Sequence, residues 1–410
     1  MSVVPDWITA AAAKHPDRIA IEGLEQSLTY SELCDAARGR AREVGDRRVA
    51  LSLPPGEDFV IELHACLLAG AAVVPIDLRL SPTEQEQRRA AVDVRFDESA
   101  GADAPVAVMH TSGTTAAPKP VVLSRGNFLA SALGSAVALG LDPAERWLCP
   151  MPLTHVGGLS IPIRSAIYAT TAVLHGRFDT EAVLSELMDG GRRITLVSLV
   201  PTMLARLLDA GLQGPPTLRW ALLGGGPIAP ALLERAAAAG VPVAPTYGMT
   251  EACSQIATFG WPLAGVDVRL GDDSEVLVRG PIVSAGSVPE DGWLHTGDLG
   301  RFDDRARLEI IGRKADTIVS GGENVAPAEV EAVLLEHPAV ADAAVHPRPD
   351  PEWGEAVIAT VVLRDGLSVA PDELRAHCAA RLAAFKVPKA VSFTDRLPRT
   401  ASGKLLRREL

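Results

Sequence analysis

The chain has 410 residues, of which 47% are hydrophobic and 22% are charged. This length exceeds a single core, so we expect two or three domains of ordinary globular composition. The net charge of −12 argues against a general binder of nucleic acid or of membrane surfaces. The N-terminus lacks a targeting signal, and no apolar run approaches the roughly 20 residues that a membrane span needs.

The five cysteines are widely scattered and form no C-x-x-C pair, which indicates a reducing compartment and no zinc site. They are Cys34, Cys66, Cys149, Cys253 and Cys378. The expected location is therefore the cytoplasm.

Short apolar runs alternate with helical patterns through the first 250 residues. The predicted strands are 49–53, 71–76, 194–200, 219–223 and 241–245, with a helix at 57–68 and others between the later strands. This alternation predicts parallel sheets joined by crossover helices.

The pattern changes after residue 266. Period-two runs at 266–270 and 275–278 predict a hairpin. A compact tail follows, with predicted helices at 327–337 and 371–384 and strands near 341–346 and 356–363. We place a domain boundary near residues 312–316.

The most informative stretch is residues 111–119, which follows the apolar run 106–109. Hydroxyl groups, backbone N–H groups and an ammonium suit a polyphosphate, although the spacing is not that of a Walker loop. Read alone, the stretch is more typical of a solvated turn. The candidate ligands in it are Thr111, Ser112, Gly113, Thr114, Thr115 and Lys119.

Two further motifs follow predicted strands or turns. In residues 247–251, Thr250 can bind a phosphate oxygen and Glu251 a Mg²⁺ ion. The plain alternative is a strand-to-helix junction with Thr250 as the N-cap. In residues 296–298, Asp298 can accept hydrogen bonds from a ribose diol, and the alternative is an ordinary turn.

Glycines and one arginine complete the candidates in the middle of the chain. Residues 224–229 resemble a dinucleotide fingerprint, but the expected acidic residue is missing, so we reject NAD binding. Gly224, Gly225 and Gly226 instead offer a backbone surface to a flat group. Arg313 offers planar donors at the predicted boundary, or is a solvated basic turn. Gly321 and Gly322 permit close approach of a thin ligand.

Two single residues remain. His155 lies in an apolar setting, where a histidine is usually a core or turn residue and a pocket-lining role is the alternative. Lys404 ends the motif of residues 398–404 close to the C-terminus, where a basic end is normally a solvated tail. A turn at that point can also present a single ammonium.

The order and spacing of these motifs resemble the adenylate-forming superfamily of acyl-CoA synthetases, nonribosomal adenylation domains and luciferases. The resemblance covers nearly the whole chain. Residues 151–160, 222–227 and 247–255 look most like the o-succinylbenzoate–CoA ligases of menaquinone synthesis. Two features depart from the pattern: Ala116 replaces a usual loop glycine, which predicts looser phosphate binding, and the chain is short.

This resemblance implies an α/β fold of two parts. Residues 1–312 would form a large domain of parallel-sheet α/β subdomains with a small β-barrel-like subdomain. Residues 316–410 would form a small, mobile α+β lid, with a hinge at 313–316. The lid would rotate between two half-reactions, first inserting Lys404 and then lining a pantetheine tunnel with Gly321 and Gly322.

The resemblance also implies an ATP-dependent carboxylate–CoA ligase that uses Mg²⁺ and coenzyme A. Lys404 would bridge the carboxylate and the α-phosphate, and residues 111–119 would hold the pyrophosphate. The catalytic candidates are Lys404, Thr250, Glu251 and His155, with Glu251 as the metal ligand. The nucleotide candidates are Gly224, Gly225, Gly226 and Tyr247 for adenine and Asp298 and Arg313 for ribose.

The acyl pocket is expected between His155, the 224–226 glycines and residues 198–202. Candidates for a second carboxylate of the substrate are Arg164, Ser198, Thr202 and Ser254. Three alternatives stay open: another fatty or aryl acid, an adenylation unit that loads a carrier protein, and a catalytically silent homologue. We expect small-molecule partners, no nucleic acid and no stable membrane insertion, and the sequence leaves the oligomeric state open.

Overall fold

The computed structural model describes residues 6–44, 48–90, 101–111, 119–399 and 405–410. The first part of the chain contains α1 (Trp7–Lys14), β1 (Ile19–Glu22), β2 (Ser27–Thr29), α2 (Tyr30–Val44), β3 (Val49–Leu51), α3 (Glu57–Ala69), β4 (Val73–Pro75), α4 (Pro82–Ala90), β5 (Pro105–Thr111), β6 (Lys119–Ser124) and α5 (Arg125–Leu139). Then come β7 (Arg146–Cys149), α6 (Val156–Tyr168), β8 (Thr171–Leu174), α7 (Thr180–Met188), β9 (Leu196–Leu199), α8 (Pro201–Asp209), β10 (Trp220–Leu223), α9 (Pro230–Ala238), β11 (Val243–Met249), β12 (Ser254–Thr258) and β13 (Trp261–Pro262).

The remaining elements are mostly strands. They are β14 (Asp267–Leu270), β15 (Glu275–Arg279), β16 (Leu294–Phe302), β17 (Leu308–Arg313), β18 (Ile318–Ser320), β19 (Glu323–Val325), α10 (Pro327–Leu335), β20 (Val340–Asp350), β21 (Gly354–Leu363), α11 (Pro371–Ala379) and β22 (Ala390–Phe393). Among the described residues, no helix combines the length and apolarity of a membrane span.

The largest sheet has nine strands in the order β13-β12-β11-β10-β9-β7-β8-β1-β2. Its centre, from β11 to β1, is parallel, while β2, β12 and β13 pair in antiparallel fashion at the edges. Strands β8 and β9 are completely buried, which explains why their sequences are mostly apolar and do not alternate between apolar and polar residues. The predicted parallel sheet with crossover helices is confirmed.

A second sheet has the order β3-β4-β5-β6. Its first three strands are parallel, and β6 runs back along β5 with Thr111 opposite Lys119. The apolar run 106–109 thus forms the buried strand that leads into the hydroxyl-rich stretch. The hairpin register places Thr111 and Lys119, the two ends of that stretch, opposite each other.

The antiparallel part begins with the predicted hairpin, because β14 and β15 pair directly. Together with β16 and β17 they form a four-stranded sheet, and a 3₁₀ turn at Lys314–Asp316 follows. Strands β18 to β22 form the last sheet, in which β22 lies parallel to β21. Helices α10 and α11 pack on this sheet around a hydrophobic core of their own. We call residues 316–410 the lid region.

Two predicted elements differ from the structure. The helix predicted over 371–384 ends at Ala379, after which the amide of Arg381 donates to the carbonyl of Cys378, three residues earlier, and the chain turns back toward β22. The strand predicted over 241–245 continues to Met249, because it pairs with β12 in a hairpin. The α/β fold class with a C-terminal α+β region is confirmed.

The buried side chain of His64 predicts that the folded protein loses stability at acidic pH. His64 in α3 is 1% exposed, and burial lowers its pKa to about 4, with Asp6 opposing the shift. Its Nδ1 has no hydrogen-bond partner among the described residues. The unfolded chain therefore binds the proton more readily, and stability falls as the pH drops from about 6.5 toward 4.

We expect wild-type protein to lose roughly 2 kcal/mol of unfolding free energy between pH 7 and pH 5 through His64. Denaturant unfolding at both pH values measures this change. The His64→Gln variant should show a correspondingly flatter dependence, since glutamine does not titrate. Equal pH dependence of the two proteins would show that His64 is not responsible.

Candidate active site

The carboxyl ends of the parallel strands β9, β10 and β11 meet at one edge of the large sheet, where α/β proteins bind ligands. Gly224 follows β10, and its amide donates to the carbonyl of Leu199 at 3.1 Å. A Cβ atom on Gly224 would lie 2.7 Å from Cγ2 of Thr246, and Gly225 has a φ of +78°. The missing side chain at Gly224 therefore accommodates Thr246, while the approach of a flat ligand to residues 224–226 stays a prediction.

The motif at residues 247–251 forms a strand-to-strand turn, not a strand-to-helix junction. Thr250 opens a 3₁₀ turn at Thr250–Ala252 and is not a helix N-cap, since the chain must reverse into β12. A Cβ atom on Gly248 would lie 1.6 Å from the carbonyl oxygen of Ser254. Cys253 and Ser254 both have positive φ, at 50° and 90°, a strained backbone that often marks a functional site.

This turn is fixed against the hairpin that carries the hydroxyl-rich stretch. The amide of Ser284 donates to the carbonyl of Glu251 at 2.8 Å, and the Ser284 hydroxyl donates to the carbonyl of Val122 at 2.7 Å. Strand β6 itself lies beside the Thr250–Ala252 turn. The backbone of Glu251 is therefore linked through one serine to the strand that begins at Lys119.

Tyr247, Asp298 and Arg313 form a connected polar group between the large sheet and the antiparallel sheet. The Tyr247 hydroxyl donates to Oδ2 of Asp298 at 2.7 Å, and Nε of Arg313 lies 2.7 Å from Oδ1. Burial and the Asp298 carboxylate raise the pKa of Tyr247, so the phenol remains a donor. An aromatic ring, a carboxylate and a guanidinium in this arrangement can bind a nucleoside.

Arg164 is a buried cation with no carboxylate partner among the described residues. It is 1% exposed, and burial lowers its pKa. Its Nη2 donates to the Ser131 hydroxyl at 2.9 Å, and its guanidinium lies 5.6 Å from the Trp147 ring. The Trp147 indole donates to the Ser198 hydroxyl at 3.0 Å, so two of the predicted substrate residues belong to one network.

The other substrate candidates lie on elements at the same sheet edge. Thr202 is the second residue of α8, directly after β9, and Ser254 is the first residue of β12. Both are partly buried. His155 is the exposed cap residue before α6, and desolvation together with the charge of Arg79 lowers its pKa, with Asp77 opposing the shift.

In the lid region, Gly321 and Gly322 form the turn between β18 and β19, with φ values of +61° and +84°. The Gly321 amide donates to the carbonyl of Trp353 at 2.8 Å, and a Cβ atom there would lie 2.9 Å from the Trp353 ring. Glycine is therefore required at 321 by both its backbone angle and its neighbour.

Several predicted residues lie outside the described part of the chain. They are Ser112, Gly113, Thr114, Thr115, Ala116 and Lys404. Lys119, at the start of β6, is described and exposed.

The residues that flank Lys404 are held on the lid region. Arg399 and Leu405 form an antiparallel bridge, and the amide of Leu406 donates to the carbonyl of Pro398 at 2.9 Å. Ion pairs anchor the chain before and after Lys404. Nη2 of Arg399 lies 2.7 Å from Oδ2 of Asp342, and Nη2 of Arg407 lies 2.9 Å from Oε1 of Glu331.

Comparison with known proteins identifies the family. The chain matches the AMP-binding enzyme family over residues 8–96 and 84–287, and the AMP-binding enzyme C-terminal domain over residues 329–404. The chain belongs to the AMP-binding enzyme family.

Close relatives match over the full length. The 2-succinylbenzoate–CoA ligase of Bacillus licheniformis is 38% identical, over 99% of this chain and 99% of its own. The 2-succinylbenzoate–CoA ligase of Bacillus subtilis is 36% identical, over 99% and 97%.

Solved structures from Bacillus subtilis agree. o-Succinylbenzoate CoA synthetase in complex with the acyl-adenylate intermediate OSB-AMP superposes with a TM-score of 0.88 at 36% identity, covering 99% of this chain and 97% of that one. The same enzyme in complex with ATP and magnesium ion has a TM-score of 0.88 at 35% identity, covering 99% of both chains.

For this member of the AMP-binding enzyme family, sequence reasoning missed three residues near the site. Ser131 and Trp147 hold Arg164, and Glu275 accepts a hydrogen bond from the amide of Gly297, next to Asp298. Trp147 and Glu275 lie inside strands, so the sequence pattern around each residue predicts a strand and does not indicate a binding site. Nothing local in the sequence marks their long-range contacts.

Proposed function

We propose that the chain is an ATP-dependent o-succinylbenzoate–CoA ligase of menaquinone biosynthesis. A carboxylate oxygen of the acid attacks the α-phosphorus of ATP, and pyrophosphate leaves. The thiol of coenzyme A then attacks the acyl carbon, loses its proton, and AMP leaves. The observation that carries this proposal is the match to 2-succinylbenzoate–CoA ligases over 99% of this chain and at least 97% of theirs.

The first step brings an anionic carboxylate to an anionic phosphate, so cations must offset the developing charge. We assign Lys404 to the reacting carboxylate and the α-phosphate, and Thr250 to an α-phosphate oxygen. Residues 111–119 would hold the pyrophosphate, using hydroxyl groups, backbone amides and Lys119. The link from Glu251 through Ser284 to β6 supports this assignment, because it puts the turn beside the strand that begins at Lys119.

The donor set also fits a magnesium ion. Among the described residues, no three histidine, cysteine or acidic side chains cluster as a metal site. Mg²⁺ typically binds one or two carboxylates together with substrate phosphates, and Glu251 supplies one carboxylate on the turn. The ion would neutralise phosphate charge when bound, while Glu251 holds it in place.

We assign the nucleoside to Tyr247, Asp298 and Arg313, with the 224–226 glycines beside the adenine. The observed bonds support this role, since Asp298 already accepts hydrogen bonds that ribose hydroxyls can replace. Residues 1–312 are proposed as the large domain, with a hinge at 313–316. Rotation of the lid region would exchange Lys404 for the Gly321–Gly322 turn, which would line the route of the pantetheine arm.

We assign the second carboxylate of the substrate to Arg164. A buried guanidinium without a carboxylate partner is costly unless an anion completes it. Ser198, Thr202 and Ser254 are proposed to line the same pocket, and His155 its entrance. We also propose a cytoplasmic location, which agrees with five cysteines that are all buried and free of disulfides.

A panel of acids tests the proposed substrate. Purified protein is incubated with ATP, Mg²⁺ and each acid, pyrophosphate release is measured, and coenzyme A is then added while thioester is followed by mass spectrometry. We expect o-succinylbenzoate to exceed fatty and simple aryl acids by at least tenfold in kcat/KM. Preference for a fatty acid would refute the substrate, and absence of any adenylate would support the silent homologue.

A further inference from the structure

Glu275, the first residue of β15, is a buried carboxylate with two kinds of partner. Its Oε1 accepts a hydrogen bond from the amide of Gly297 at 2.9 Å. Its Oε2 accepts one from Nζ of Lys314 at 3.2 Å. The side chain of Glu275 is 9% exposed, whereas that of Lys314 is 52% exposed. One carboxylate thus contacts both residues 296–298 of β16 and the 3₁₀ turn at 314–316.

Both contacts are adjacent to the proposed ribose site. Gly297 has a φ of +70° and immediately precedes Asp298, so the Glu275 bond fixes the backbone angle from which Asp298 projects. Lys314 immediately follows Arg313, which pairs with Asp298. A change in the position of Lys314 is therefore transmitted to Asp298 by two routes, through Arg313 and through Glu275.

The charges around Glu275 keep it ionised. Burial would raise its pKa, but the amide of Gly297, Lys314 and His295 together hold the pKa below its usual value. His295 lies 3.5 Å from Oε2 and pairs with Asp291 at 2.9 Å. Lys314 also contacts Asp273, an exposed carboxylate in the preceding turn. Asp273 therefore shares the lysine with Glu275.

We propose that Glu275 is a positioning residue that couples the hinge lysine to the nucleotide-binding segment 296–298 of β16, so that nucleotide binding and hinge conformation influence one another. The inference rests on the proposed function, because it assumes that Asp298 binds ribose. It does not depend on which acid the enzyme uses. Coupling of this kind is reciprocal: what Lys314 does to ATP affinity, ATP must do to the hinge.

The first test is ATP affinity, measured by titration calorimetry on the full chain with Mg²⁺ and without acid. Glu275→Gln removes the charge that binds Lys314 and weakens the Gly297 contact, so we expect the Kd for ATP to rise about tenfold. Lys314→Met should raise it about threefold, although Lys314 is assigned no contact with ATP, and Lys314→Arg should restore it.

Asp273→Asn is the matched control, because it removes the other negative charge on Lys314 while the asparagine Oδ1 can still accept the hydrogen bond from the amide of Glu275. It should leave the Kd for ATP within twofold of wild type. Hydrogen exchange is the second readout: ATP should slow exchange at residues 314–318 in wild type and in Asp273→Asn, but not in Glu275→Gln.

The proposal would be overturned if Glu275→Gln and Lys314→Met both bound ATP with wild-type affinity, and if ATP slowed hydrogen exchange at residues 314–318 in both variants as it does in wild type. If Glu275→Gln does not fold, the Lys314→Met and Lys314→Arg variants decide alone. A purely structural role of Glu275 predicts wild-type ATP affinity for both of these variants. Failure of the substrate proposal is separately visible: wild type would bind ATP but form no adenylate with o-succinylbenzoate.

Discussion

Replacement of Lys404 by alanine is expected to abolish adenylate formation and to leave thioester formation from a supplied adenylate largely intact. The ammonium is proposed to act where charge develops at the α-phosphate, and loss of one such group costs roughly 10²- to 10³-fold in rate. In the second half-reaction the lid region is proposed to rotate and to withdraw Lys404, so we expect that the thiol step does not need it. ATP–pyrophosphate exchange measures the first step, and acyl-CoA formation from synthetic acyl-AMP measures the second.

Lys386→Ala is the matched control for this experiment. Lys386 is also a lysine of the lid region, where its ammonium lies 2.7 Å from Glu329, and it has no role in the proposed chemistry. We expect both half-reactions of this variant to stay near wild type. Equal loss of both half-reactions in Lys404→Ala would contradict the assigned role.

The anchors around Lys404 give this prediction a structural basis. The Arg399–Asp342 and Arg407–Glu331 ion pairs attach both flanks to β20 and α10 of the lid region. Rotation of the lid region would therefore move this end of the chain with it. The proposed exchange of the lysine for the Gly321–Gly322 turn is consistent with a single rotating body.

The sequence predicted the parts of the fold that depend on local pattern. Buried strands such as β9 and β10 were predictable because each is a short run of mostly apolar residues. The hairpin of β14 and β15 was predictable from its period of two. The extension of β11 to Met249 was not, because pairing with β12 requires the reversal that Gly248 and the strained Cys253 make possible.

The candidate site shows the same division. Tyr247, Asp298 and Arg313 were recognisable from motif order, and the structure brings them into contact although the first two are 51 positions apart in the sequence. Glu275 and Trp147 were not recognisable, since each occupies an ordinary strand position. Their importance arises from partners distant in sequence, and a single sequence carries no signal of those contacts.

Replacement of Arg164 by methionine is expected to reduce kcat/KM for o-succinylbenzoate by roughly 100-fold or more, the cost of leaving a buried charge without its partner. The same change should not lower stability. In the free protein Arg164 is 1% exposed and hydrogen-bonds to Ser131, and apolar residues that replace buried charges are often neutral or stabilising. A loss of activity together with an unchanged or higher Tm separates ligand recognition from a structural role.

The substrate itself supplies the matched control. 4-Oxo-4-phenylbutanoate has the carboxylate that is activated but lacks the carboxylate on the ring. Wild type should use it poorly, because Arg164 would remain buried and unpaired, whereas Arg164→Met should use both acids with similar kcat/KM. Since the guanidinium fork is specific in geometry, Arg164→Lys should recover only part of the preference. If Arg164→Met kept the wild-type preference for o-succinylbenzoate, the ring carboxylate would have to bind elsewhere, and the unpaired charge would need another explanation.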